Sequence, residues 1–158
     1  MLSNLPVHVI VASNQAGIAL GYFDDSAMVR FNDVIRKTIH DLGARIDAFY
    51  YCPHLEVFNL PAGVAPCECS KPAPGMLIEA ARDFGLSLSG SFMIGDKNSD
   101  VAAGHSVGCT TILVRTGKAG RDRIAMPVRS DYVCENLREA ASLVEQYLPA
   151  IQNPRSAS

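Results

Sequence analysis

The residues Cys52-Pro53-His54 and Cys67-Glu68-Cys69 set three thiols and one imidazole as C-x-H, then twelve residues, then C-x-C. Four Cys or His donors in two short pairs separated by a loop are what a structural zinc ion takes. The intervening stretch, Leu55 to Pro66, carries two prolines and one glycine and has no sustained periodicity. Without a clip it would gain little order. The same residues also fit a group of reduced, buried cysteines beside a chance histidine, because free cysteine packs as a small hydrophobe.

A second set of polar groups suits a different chemistry. Lys71 follows the last thiol by two residues, Ser13 follows an apolar run, and Asp96 and Asp100 stand four residues apart behind Gly95. At that spacing a turn into a helix points both carboxylates the same way. Magnesium usually takes one or two carboxylates together with phosphate oxygens, so the pair suits a hard-cation site. A hydroxyl and an ammonium beside it would bind a phosphate. Taken singly, Asp96 also fits a helix cap and Lys71 a solvated surface charge.

These groups need a scaffold that brings them to one edge. Val7 to Ala12 is a short β-branched run ending at the polar segment Ser13 to Gly17, the pattern of a buried parallel strand that empties into a loop. Asp24-Asp25-Ser26 can cap a helix over about Ala27 to Leu42, with Met28, Phe31, Val34, Ile35, Ile39 and Leu42 as its stripe. Ile46 to Tyr51 is a second strand that delivers Cys52 into the metal loop. A helix over Met76 to Phe84, a strand over Ser91 to Gly95, a small-residue helix over Val101 to Ser106 and a strand over Thr110 to Arg115 follow. Gly117 to Arg129 is a loop with basic residues, Asp131 to Val133 a short fifth strand and Leu137 to Tyr147 a last helix. Alternating strands and helices predict an α/β fold, a parallel sheet covered on both faces. Ligands of such sheets bind at the carboxyl ends of the strands. One domain over 1–150 and a frayed polar tail over 151–158 are expected.

Composition narrows the partners. With 158 residues, 48% hydrophobic and 19% charged, the chain is one domain's worth of globular protein. A net charge of −2 offers no footprint for nucleic acid or an anionic membrane, and no apolar run approaches a membrane span. Five cysteines, three at metal spacing, fit a reducing compartment better than a disulfide framework, and the cytoplasm is the default. Cys109 and Cys134 are expected to be core or surface thiols. His8, His40 and His105 receive no role.

Three segments carry a resemblance. Ser13-Asn14-Gln15-Ala16-Gly17-Ile18-Ala19, the metal loop with Cys69-Ser70-Lys71-Pro72-Ala73-Pro74-Gly75-Met76, and Ile94-Gly95-Asp96-Lys97-Asn98-Ser99-Asp100-Val101-Ala102-Ala103-Gly104 together resemble the haloacid dehalogenase (HAD) superfamily. Within it they are similar to the zinc-bearing heptose-bisphosphate and histidinol-phosphate phosphatases. The resemblance implies a Rossmann-like fold and a magnesium-dependent phosphomonoester hydrolase acting on a sugar phosphate through an aspartyl-phosphate. It implies that Ser13 and Lys71 hold the transferring phosphoryl group. Asn14 and Gln15 would lie along the substrate, and Asp96 would ligate magnesium, with Asp100 supporting it or orienting Lys71. Cys52, His54, Cys67 and Cys69 would hold a structural zinc that does no chemistry.

Two departures from the pattern set further expectations. The family's attacking aspartate lies in an Asp-x-Asp motif on a central strand well upstream of the position of Ser13, and only twelve residues precede Ser13 here. The chain as written is therefore expected to lack the nucleophile and the first central strand, and to be inactive alone. Two apolar strand edges would then be left open. Either they close on each other, or another chain fills the gap, or the start at Met1 omits a natural N-terminus; the last is favoured. A non-catalytic pseudo-phosphatase that binds a phosphorylated ligand or a partner chain is the alternative. Leu20 and Ser70 stand where the family commonly has arginines, which weakens the assignment of a bisphosphate substrate.

Overall fold

The computed structural model describes residue 2, residues 5–122 and residues 128–152. Part of the basic loop, and the tail beyond residue 152, lie outside the described residues. The elements run β1 (Ile10–Asn14), α1 (Asp25–Asp41), β2 (Ala48–Cys52), α2 (Gly75–Phe84), β3 (Phe92–Gly95), α3 (Asn98–Ser106), β4 (Thr110–Val114), β5 (Tyr132–Cys134) and α4 (Leu137–Gln152). The alternation expected of an α/β chain is present, and every strand pair is parallel.

The strands form two sheets instead of one. β1 pairs with β2 and reaches from Ile10↔Ala48 to Asn14↔Cys52. β3, β4 and β5 form the other sheet in that order. The strands β1 and β3 therefore do not close on each other, and each keeps one edge without a ladder partner among the described residues.

Burial is divided in the same way. In the second sheet Ile112, Val114 and Cys134 pack with Ala140 and Val144 of α4, and Phe92 and Ile94 lean on this cluster. In the first, every residue of β1 is only half-buried, although a parallel strand is normally covered on both faces. Helix α1 starts as its sequence directs, with the Asp24 carboxylate accepting from the Ala27 N–H at 2.7 Å. Its stripe differs from the expectation. Met28 is buried, but Phe31, Val34 and Leu42 are 56%, 61% and 76% exposed. A helix lying over two strands has too little sheet beneath it to cover that whole stripe.

This asymmetry is measurable. Ile112→Ala should cost about 2–5 kcal/mol, the range for a large buried aliphatic side chain, whereas Val34→Ala should stay within about 0.5 kcal/mol. Urea midpoints of the two variants check it, and equal losses would contradict the division.

Candidate phosphate and metal site

Lys71 is the group on which the site converges. Its Nζ lies 2.7 Å from Asp100 Oδ1, and the two side chains are 10% and 7% exposed. The same Nζ donates to the Ala12 carbonyl of β1 at 2.6 Å. Its backbone is fixed by Asn14, whose side-chain oxygen accepts from Lys71 N–H at 2.9 Å while its amide donates to Lys71 C=O at 3.0 Å. The ammonium thus ties the end of β1 to the helix that follows β3.

The carboxylates sit where that helix begins. Asp100 Oδ2 accepts from Lys97 N–H at 3.0 Å, closing the first turn of α3. Gly95 makes room for it, because a Cβ there would lie 2.3 Å from the Asp100 side chain. Asp96 Oδ2 accepts from Lys118 N–H at 2.7 Å. Of the polar groups picked from the sequence, Ser13 Oγ accepts from Gln15 Nε2 at 2.8 Å at the end of β1. Ser13 and Gln15 also line a cleft of about 240 Å³ that runs under α1 beside Met28 and Phe31.

The four metal-loop donors come together. Cys52 Sγ, His54, Cys67 Sγ and Cys69 Sγ offer ligand atoms within 4.8 Å of one another. Their spacings include 2.8 Å for Cys69–Cys52, 3.5 Å for Cys52–Cys67 and 3.3 Å from His54 Nδ1 to Cys69. A tetrahedral zinc with sulfur bonds of about 2.3 Å has edges of about 3.8 Å, so the set fits such an ion after a small expansion. Burial pushes the Cys67 thiol up, but hydrogen bonds from the Ser70 N–H and the other two thiols outweigh it and bring it down to about 7. Burial and then the neighbouring thiols push Cys69 up. A metal needs all three as thiolates, so its binding releases protons and weakens as pH falls.

Ser70, noted in the sequence only as a departure from the family pattern, has a buried Oγ with no hydrogen-bond partner among the described residues. Asp122 escaped the sequence. It reaches back from the loop after β4, and its carboxylate accepts from Asn98 N–H at 2.8 Å and Ser99 N–H at 3.0 Å. Nothing local marks it, because both contacts lie far away in the chain.

Known proteins resemble this chain in sequence and fold. A HAD-hydrolase-like family model matches residues 68–140. The D-glycero-beta-D-manno-heptose-1,7-bisphosphate 7-phosphatase of Pasteurella multocida is 32% identical over 144 residues, covering 87% of this chain and 73% of that protein. The chain belongs to the heptose-1,7-bisphosphate 7-phosphatase family of HAD-like proteins. The family member of the same description from Photorhabdus laumondii is 37% identical over 119 residues, which are 74% of this chain but 63% of that protein. The chain thus spans less than two thirds of that relative's length. Among solved structures, the D,D-heptose 1,7-bisphosphate phosphatase of B. bronchiseptica, complexed with magnesium and phosphate, superposes with a TM-score of 0.74 at 32% identity, covering 88% of this chain and 74% of that one. The heptose-bisphosphatase family match accounts for the HAD-like fold expected from the three motif segments.

The buried pair and the orphan hydroxyl give opposite expectations. Asp100→Asn leaves the Lys71 ammonium without its counter-charge and should cost about 3–5 kcal/mol, whereas Lys71→Met with Asp100→Leu should recover most of that loss. Ser70→Ala removes an unsatisfied polar atom and should raise stability by about 1 kcal/mol. Denaturant titration of the four chains checks both expectations.

Proposed function

We propose that this chain forms the phosphate- and metal-binding part of a magnesium-dependent sugar-phosphate phosphatase, of the kind that hydrolyses heptose 1,7-bisphosphate. The observation that carries this is the convergence of Lys71, Asp100 and the end of β1 at the carboxyl ends of the strands, with Asp96 directly after β3. Ser13 and Gln15 line the substrate, and Asn14 contributes by holding Lys71. Asp96 supplies a carboxylate to magnesium, whose chemistry is to neutralise charge on the phosphoryl oxygens. Asp100 belongs to the same magnesium site and keeps Lys71 in place. The relative solved with magnesium and phosphate supports a site that takes both.

The attacking carboxylate is not supplied by any aspartate at the end of β1, where Asn14 and Gln15 follow Ser13. We place it on a further strand that completes the sheet between the open edges of β1 and β3. Such a strand would come from a segment or partner chain outside these 158 residues. For the chain alone the expected behaviour is that of a binding module: it takes a phosphorylated ligand without turning it over. Cys52, His54, Cys67 and Cys69 hold a structural zinc that shapes the loop leading into Lys71. The surroundings are cytoplasmic, where the thiols stay reduced.

Four measurements test this. Isothermal titration with inorganic phosphate and magnesium should detect binding that Lys71→Met and Asp96→Ala each weaken by about tenfold or more, the loss expected for a charge-assisted contact. No turnover of a sugar-phosphate panel is expected from the chain alone; turnover that Asp96→Ala abolishes would overturn that placement of the nucleophile. Metal analysis without chelator should find one zinc per chain in the native protein and little in Cys67→Ser. Zinc affinity should fall throughout as pH drops, because Cys52 and Cys69 are pushed up and must lose protons to bind, and more steeply below about 7, where Cys67 also takes up its proton. Well under one zinc in the native chain would rule out the four-ligand assignment.

A further inference from the structure

We propose that the cleft between α1 and the β1–β2 sheet is a binding site for a small uncharged aromatic ring that carries a carboxamide or lactam edge. It does not depend on the phosphate site proposed above, and a failure of phosphate to bind would leave it standing. The cleft measures about 240 Å³, and Val11, Ser13, Met28, Asn32, Ile35 and Phe49 are among the residues that line it. A dry apolar cavity of about 150 Å³ holds benzene, so this one admits a single ring with one or two small substituents.

Asn32 identifies what that ring must carry. It lines the cleft from α1 and is only 7% exposed, yet its side-chain amide makes no hydrogen bond among the described residues. A buried amide without a partner costs about 1–3 kcal/mol. Asparagine presents a donor and an acceptor side by side, so the ligand that satisfies both offers an acceptor and a donor in the same arrangement, as a carboxamide or lactam does. Ser13 adds one more polar atom: its Oγ accepts from Gln15 Nε2 at 2.8 Å, which leaves the hydroxyl proton to donate. No Asp, Glu, Lys, Arg or His lines the cleft. A charged ligand would therefore lose its hydration and find no counter-charge.

The aromatic side of the cleft is held in place by two contacts between β2 and α1. The Tyr51 hydroxyl donates to Asp25 Oδ1 at 3.2 Å, at the start of the helix. About three turns further on, the Arg36 guanidinium lies over the Phe49 ring, 5.1 Å from its centroid, and is itself anchored to Asp33 at 2.9 Å. Phe49 and Tyr51 are alternate residues of one strand, so both rings stand on the face that α1 covers. Fixed rings favour a second ring, stacked or edge-on, over a flexible chain. An apolar wall with a few placed polar groups is the general form of a small-molecule site. A saturated polyol would leave most of its hydroxyls unpaired here.

The test is a titration of the whole chain followed by its backbone amide NMR shifts, with benzamide, benzoate and toluene as probes. The native chain should bind benzamide about tenfold more tightly than either of the others, the worth of about one net hydrogen bond. Asn32→Leu keeps a side chain of similar size and should lose that preference, holding benzamide about tenfold more weakly and toluene no worse. Ile35→Phe, which fills the cleft from the helix side, should abolish saturable binding of both. If water alone satisfies Asn32, the native chain will show no saturable benzamide binding, and that result overturns the site. A benzamide affinity that Asn32→Leu leaves unchanged, or equal affinity for benzamide and benzoate, overturns it as well.

Discussion

Taking the Lys71 ammonium out of water costs several kcal/mol, and the structure tolerates it because each neighbour offers an acceptor. Asp100 supplies the counter-charge from α3 at 2.7 Å and Ala12 a carbonyl from β1 at 2.6 Å. Asn14 fixes the backbone in both directions, so the side chain enters the site from one defined position. The metal loop ends two residues earlier at Cys69. Whatever holds Cys69 therefore limits where Lys71 can start, and the thiol cluster and the buried pair act as one positioning device.

That device spans a division in the sheet. Parallel strands draw their stability from burial on both faces and from neighbours on both edges. β4 meets those conditions, between β3 and β5 and against α4, while the other strands do so only in part. The exposed Phe31 and Val34 on α1 and the half-buried β1 belong to the same deficit. A long unpaired edge invites another strand. Lys71 crosses between the two halves by side-chain charge, where a continuous sheet would be held by backbone ladders.

Much of this was legible in the sequence because its causes are local. The C-x-H and C-x-C spacing brings four donors into reach through one loop, and Asp96 and Asp100 fall at the turn from β3 into α3, Asp96 just before the helix and Asp100 in its first turn. Strand and helix limits were less legible where distant groups intervene. β1 begins at Ile10 and not Val7 because the Val7 carbonyl accepts from Arg45 and the Val9 N–H donates to Asp47 at 2.7 Å, so neither enters the ladder there. Helix α3 begins at Asn98 and not Val101 because Asp122, 24 residues further on, satisfies its first N–H. Ser13 and Asn14 read as the loop after a strand, yet they pair with Tyr51 and Cys52 and complete it. The division of the sheet shows only in which strands pair, and periodicity cannot register that.

Charge counting then explains why a metal belongs in this site at all. Lys71 is one positive group, and Asp96 with Asp100 are two negative ones, so the cluster is negative by one unit before any ligand arrives. A phosphate dianion placed there would be repelled, and in a site that excludes water the repulsion is felt more strongly than at a surface. One divalent cation reverses it, and it does so without freeing Lys71 from Asp100, which the fold needs where it is. The buried pair thus forces the site to recruit its positive charge for the phosphoryl group from outside the protein.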